Sequence, residues 1–137
     1  MQRNARIPQH LLEAELTDKI IGAFFEVYKH LGFGFLESTY ANALAIEVRR
    51  LGLEVSREVP IEVLFKGVPV GQFRYDMIVA GRVIVEIKSQ RTITEADERQ
   101  LQNYLKAANI SVGLLLHFGP SPEPRRFIWT HTPKPQS

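Results

Sequence analysis

The feature that most constrains this chain is a change in the spacing of its apolar residues near Gly52. Before it, Ile20, Ile21, Phe24, Phe25, Tyr28 and Leu31 recur every three and four positions, as on one face of a helix. Leu36, Tyr40, Ala43, Leu44, Val48 and Leu51 do the same. Beyond it the period falls to two: Leu53, Val55, Arg57 and Val59 alternate, Pro60 interrupts, and Ile61, Val63 and Phe65 run on to a turn at Lys66-Gly67. Two helices, over Thr17–Leu31 and Leu36–Leu51, therefore precede strands. Gly32 and Gly34 stop the first helix; Arg49 and Arg50 suit the C-terminal dipole of the second, and Gly52 its C′ position.

Tyr75–Val79 and Val83–Lys88 read as two further strands joined at Ala80-Gly81-Arg82. Thr94 with Asp97 three residues on resembles a capping box, and Leu101, Tyr104, Leu105 and Ala108 give a third helix. Val112–Phe118 is a nearly unbroken apolar run, the pattern of a strand buried on both faces, and a last strand is expected over Phe127–Thr130. The order is α, α, four β, α, β, β: one α/β domain, a mixed sheet flanked by helices, over residues 15–131, with flexible tails at 1–14 and 132–137.

Composition narrows the chemistry. A chain of 137 residues with 45% hydrophobic content can bury a core unaided. It has no cysteine, which removes disulfides, thiolate metal sites and cysteine nucleophiles together. No run reaches signal-peptide or transmembrane length, so a cytoplasmic location without membrane attachment is expected. Seventeen basic against 15 acidic residues give a net charge of +2, too near balance to argue for nucleic acid by itself. Gly32-Phe33-Gly34 begins a dinucleotide fingerprint, but its third glycine position is Glu37 and a helix precedes it where a strand is needed. His10, His30, His117 and His131 lack metal-ligand spacing, and there is no Gly-x-Ser-x-Gly elbow.

What stands out is charge inside the most apolar strand. Alternation along Val83-Ile84-Val85-Glu86-Ile87-Lys88 puts Glu86 and Lys88 on one face with Ile84. Burying such groups costs several kcal/mol unless they are paired or bound to metal. An ion pair along the strand would account for these two alone. Asp76, on the neighbouring strand in an equally apolar setting, adds a second carboxylate. Two hard oxygen ligands on a rigid strand pair suit Mg²⁺, and a nearby lysine can stabilise phosphate charge or orient an attacking water. Strand parity makes one condition decisive. A two-residue turn would set Asp76 opposite Val85, whereas pairing Val79 with Val83 across a three-residue loop sets it opposite Glu86. The three-residue loop is expected.

Asp76, nine intervening residues, then Glu86-Ile87-Lys88 resembles the PD-(D/E)xK nuclease motif. Upstream, Gly34-Phe-Leu-Glu37-Ser-Thr-Tyr40 is similar to the GxxExxY motif that names a bacterial branch of that superfamily. Downstream, Gln100-Leu-Gln-Asn-Tyr104 is similar to the QxxxY motif of exonuclease-like branches. The similarity runs from about Leu16 to Trp129, and Tyr75 stands where the motif's proline would be. It implies a restriction-endonuclease-like αβββαβ core and a Mg²⁺- or Mn²⁺-dependent nuclease acting on nucleic acid, DNA in the first place. On that reading Asp76, Glu86 and the carbonyl of Ile87 hold the metal and Lys88 orients or activates water. Glu37 recruits a second ion or a water, while Gln100 and Tyr104 hold phosphate. Gly34 is a backbone device between helices, and Tyr40 either lines the site or packs in the core. Gln100 and Tyr104, at i and i+4, share a helix face, and Glu37 would be favoured near a helix N-terminus on dipole grounds alone. The alternative is a silent module of the same fold that binds nucleic acid or a protein. No recognition appendage is evident, so a homodimer or a protein partner is compatible with this reading.

Overall fold

A computed structural model of the chain describes Pro8 and residues 11–130. The expected tails, with His10 and His131, lie largely or wholly outside the described residues. The elements are α1 (Ala14–Leu31), α2 (Glu37–Arg50), β1 (Val55–Phe65), β2 (Val68–Val79), β3 (Val83–Lys88), α3 (Glu95–Ala108), β4 (Val112–Phe118) and β5 (Pro122–Ile128). They build one five-stranded sheet in the order β1-β2-β3-β4-β5, antiparallel except for β3–β4, which α3 connects in parallel. The α/β reading with a mixed sheet between helices therefore holds.

Three strands, not four, precede α3. Pro60 does not break β1, because β1 is the sheet edge and a residue without an N–H is tolerated there. The strand begun at Tyr75 reaches back to Val68, since Lys66 and Gly67 both take positive φ (50° and 78°) and close a two-residue hairpin that pairs Phe65 with Val68. The last strand lies earlier than expected, at Pro122–Ile128, registered on β4 from Phe118↔Pro122 to Val112↔Ile128.

Two apolar layers sandwich the sheet. On one face α1 and α2 bring Ile20, Phe24, Val27, Leu44 and Val48 onto Val83, Val85, Ile87, Leu114 and Leu116. Phe118 is the hinge of this layer, edge-on to Phe24 at 4.7 Å and stacked on Tyr40 at 4.2 Å. The helical pattern overstates the buried stripe at the ends of the second helix, where Leu36 is 75% exposed and Leu51 47%, and at Phe25 within the first, which is 43% exposed. On the other face α3 sets Leu101 and Leu105 over Ile84 and Leu115. Close approach of α3 depends on Gly113 of β4, where an added Cβ would lie 2.9 Å from Leu101 Cδ1. Thr94 caps α3 as expected: Asp97 N–H bonds the Thr94 hydroxyl at 3.2 Å while the Asp97 carboxylate accepts from Thr94 N–H at 2.9 Å.

β3 is central and buried except at Lys88. Glu86 is therefore 4% exposed although it bears an ionisable carboxyl, which is the fact about the fold that most needs a chemical account.

Candidate active site at the end of the β2–β3 ladder

The hairpin between β2 and β3 pairs Val79 with Val83, Ile78 with Ile84 and Met77 with Val85, leaving Ala80, Gly81 and Arg82 as the loop. Ala80 and Gly81 take positive φ, 53° and 66°, and Arg82 N–H closes the turn on Val79 O at 3.0 Å. This is the three-residue register, and it sets Asp76 across from Glu86. A two-residue turn would have sent the acids to opposite faces.

The ladder stops where the acids meet. Asp76 N–H donates to Glu86 Oε1 at 2.8 Å, and Ile87 N–H donates to Asp76 Oδ2 at 2.7 Å. Each carboxylate thus satisfies a backbone donor of the opposite strand and stands where an interstrand bond would otherwise run. Asp76 has no ladder partner on the β1 side either: Arg57 pairs with Met77 and Val59 with Tyr75, while Glu58 between them takes φ 47°. The pleat reverses here. Val55 and Met77 pack in the layer under α1 and α2, yet Val59 and Tyr75 pack in the layer under α3. A left-handed residue opposite Asp76 lets both strands turn over, and Tyr75 swings toward α3.

Around the pair stand the other predicted residues. Lys88 Nζ lies 3.2 Å from Gln100 Oε1 and 3.8 Å from Asp97 Oδ1. Burial, with the Asp76 charge adding to it and the Asp76 N–H bond and Lys88 opposing, pushes the Glu86 carboxyl up to about 8. Burial likewise raises Asp76, against the Ile87 N–H bond and Lys88, which lower it. Glu37 opens α2 as an exposed residue at the rim. Loss of solvent on the cleft side pushes its carboxyl up, Lys88 pulls it down, and Asp76 and Asp97 push it up again. Burial raises the Tyr104 phenol, and Glu86 and Asp76 add to the rise. Glu37, Asp76, Glu86, Lys88, Gln100 and Tyr104 therefore converge on one region although they come from four elements.

Gly34 and Tyr40 do different work. Gly34 takes φ 119° in the link between the first two helices. Tyr40 is fully buried in the layer away from α3; its hydroxyl donates to Gly32 O and accepts from Phe35 N–H at 3.2 Å. It holds the loop that delivers Glu37, and is a core residue, not a lining one. His117, buried at 6%, bonds Gln90 O at 2.6 Å and is likewise a packing residue.

Asp97 was legible only as a cap. It also faces Lys88 and accepts from Gln90 Nε2 at 2.7 Å. Burial pushes its carboxyl up, but the Thr94 backbone and hydroxyl, Lys88 and Gln90 outweigh that and hold it below the ordinary value. Its spacing from Gln100 and Tyr104, three and seven positions, places all three on one helical face, a signal available in the sequence.

The resemblance to PD-(D/E)xK nucleases implies a divalent cation, and the donor set bears on whether one would fit. Asp76 and Glu86 each spend one oxygen on a backbone N–H and keep the other, in a site where carboxylates outnumber the single ammonium of Lys88. Among the described residues, no three His, Cys, Asp or Glu side chains converge tightly enough to cage an ion. Two carboxylates completed by a carbonyl, water and phosphate suit Mg²⁺, which rarely takes an all-protein cage. The residues present fit such an ion.

No match is found among curated proteins. The chain resembles the crystal structure of SSO0001 at 20% identity, with a TM-score of 0.52 over 88% of this chain; it spans 60% of that protein's length. That likeness concerns the fold. No helix among the described residues is long and apolar enough to cross a membrane. The family model of the PD-(D/E)XK nuclease superfamily matches residues 14–127, and with most of its length covered the chain belongs to that superfamily.

Proposed function

We propose that this chain hydrolyses phosphodiester bonds in nucleic acid, DNA first, with Mg²⁺ or Mn²⁺ held by Asp76, Glu86 and the Ile87 carbonyl. The observation that carries the reading is the reciprocal bonding of Asp76 and Glu86 at the ladder's end, beside Lys88 on the same face. A cation bound there supplies Lewis-acid stabilisation of charge building on the phosphoryl oxygens.

The chain's own groups do the rest. Backbone donors orient both carboxylates before any ligand arrives, which removes reorganisation at the moment of reaction. Lys88, steadied by Gln100 and Asp97, directs a water in line with phosphorus and balances the charge that develops. Gln100 and Tyr104 position a non-bridging phosphate oxygen, and Glu37 orders water at the rim. We also place the chain in the GxxExxY branch. In support, Gly34 makes the turn, Tyr40 fixes the loop and Glu37 reaches the cleft.

The test is incubation of pure protein with single-stranded, duplex and flapped DNA, with Mg²⁺ or Mn²⁺, beside Lys88→Ala. Metal-dependent cleavage lost in Lys88→Ala supports the proposal. No cleavage of any substrate leaves the silent binding module in its place.

A further inference from the structure

A groove of about 770 Å³ runs between the outer half of the β1–β2 hairpin and α3, in the roughly 300–1,000 Å³ range of ligand clefts. Its walls include Phe73 from β2 and Gln100 and Tyr104 from α3; Arg99 and Lys106 bring positive charge and Glu62 negative. Two of these residues also belong to the candidate site: Gln100 bonds Lys88, and the Tyr104 phenol feels Glu86 and Asp76. The groove therefore shares Gln100 and Tyr104 with the candidate site and lies next to it.

Its aromatic lining is open to solvent on one side. Phe73 is 48% exposed, its ring centre 6.3 Å from that of Tyr104 and tilted 47° to it. Gly71, two residues earlier, makes room for that ring: a Cβ there would lie 3.0 Å from Phe73 Cε2. An exposed ring facing a second ring is a platform for a flat ligand, and Arg99 and Lys106 outnumber Glu62 along the walls. Arg99 is held by Glu95 only through an exposed pair at 3.3 Å, and Lys106 lies 5.8 Å from the Trp129 ring, so both can reorient toward an anion. A flat, anionic ligand running into a phosphodiester site is a nucleotide. Paired bases keep their faces in the helical stack, so only an unpaired base can lie on Phe73.

We propose that this groove holds an unpaired nucleotide beside the phosphate at Asp76 and Glu86, making single-stranded or frayed nucleic acid the substrate class. This rests on the phosphodiesterase reading above. Phe73 and Arg99 act here as specificity residues outside the reacting groups.

The experiment has two readouts on the full chain. In metal-free buffer, fluorescence anisotropy measures binding of a labelled twelve-nucleotide single strand, as DNA and as RNA of one sequence, and of the blunt DNA duplex. Cleavage of the same three substrates is then followed with Mn²⁺. The expected result is tighter binding and faster cutting of a single strand than of the duplex. Phe73→Ala should weaken single-strand binding by roughly tenfold, with Phe73→Tyr restoring it and the melting temperature unchanged. Preference for DNA or RNA assigns the sugar and supports the proposal either way. Cleavage in which the duplex is cut as well as the single strand, and in which Phe73→Ala matches wild type, overturns the groove while leaving the phosphodiesterase reading intact. Single-strand binding that depends on Phe73 without any cleavage does the reverse.

Discussion

Asp76 and Glu86 end the β2–β3 ladder by exchange: each carboxylate accepts a backbone N–H from the other strand, at 2.7 and 2.8 Å. Two acids that repel one another are thereby fixed side by side, each with an oxygen to spare. A cation relieves that repulsion, and without one the pair costs stability.

That cost sets a pH dependence. The Glu86 carboxyl titrates at about 8 in the folded protein against 4.5 unperturbed. Between those values the native state binds more protons than the unfolded state, so stability falls as pH rises through that window and levels off above it. Metal-free wild type should lose on the order of a few kcal/mol between pH 5 and pH 8. Glu86→Gln, which keeps an oxygen for Asp76 N–H, should flatten the curve. Urea denaturation at both pH values measures it; parallel curves for the two proteins would remove Glu86 as the cause.

The Val79↔Val83 register, and not the length of the Ala80-Gly81-Arg82 loop as such, sets Asp76 opposite Glu86. Deleting Ala80 leaves Gly81-Arg82 as a two-residue turn that still pairs Val79 with Val83 and keeps Asp76 opposite Glu86. Where folded, the variant should keep the rise in melting temperature that Mn²⁺ gives wild type. A folded variant that loses that rise would show that the register alone does not build the site.

Much of this was legible in the sequence because apolar spacing and turn chemistry act locally. Val83–Lys88 announced a central strand, and parity required the hairpin register that the fold adopts. Other features depend on contacts that spacing does not encode. Pro60 reads as a break unless its strand is known to be an edge. Tyr40 lies on the same helical face as Leu44, and only the stacking on Phe118 separates core from cleft. The pleat reversal that brings Tyr75 toward Tyr104 follows from the left-handed turn at Glu58, for which a glutamate gives no signal.

Tyr40→Phe should test the structural assignment of that residue. Its hydroxyl bridges Gly32 O and Phe35 N–H, and its removal leaves both unpartnered. A loss of about 1–3 kcal/mol is expected in chemical denaturation. Metal affinity should be unchanged, because the ring lies away from the acids; a selective loss of metal binding at full stability would return Tyr40 to the site.

Thr94→Ala removes the cap that orients Asp97 and should cost about 1 kcal/mol. Asp97, no longer held by the Thr94 hydroxyl, should then titrate closer to its ordinary value. Side-chain carboxyl NMR follows this directly, and an unmoved Asp97 resonance would mean that Lys88 and Gln90 suffice to hold it.

The most direct measurement is calorimetric titration of Mn²⁺ into wild type and Asp76→Asn at pH 7, in two buffers of different ionisation enthalpy. Asparagine keeps an acceptor for Ile87 N–H, so the variant should stay folded. If the acid pair holds one ion, wild type binds a single Mn²⁺ and releases protons as Glu86 ionises, while the variant binds at least tenfold more weakly. Equal affinity in both proteins, or binding without proton release, would contradict a cation site built on Asp76 and Glu86.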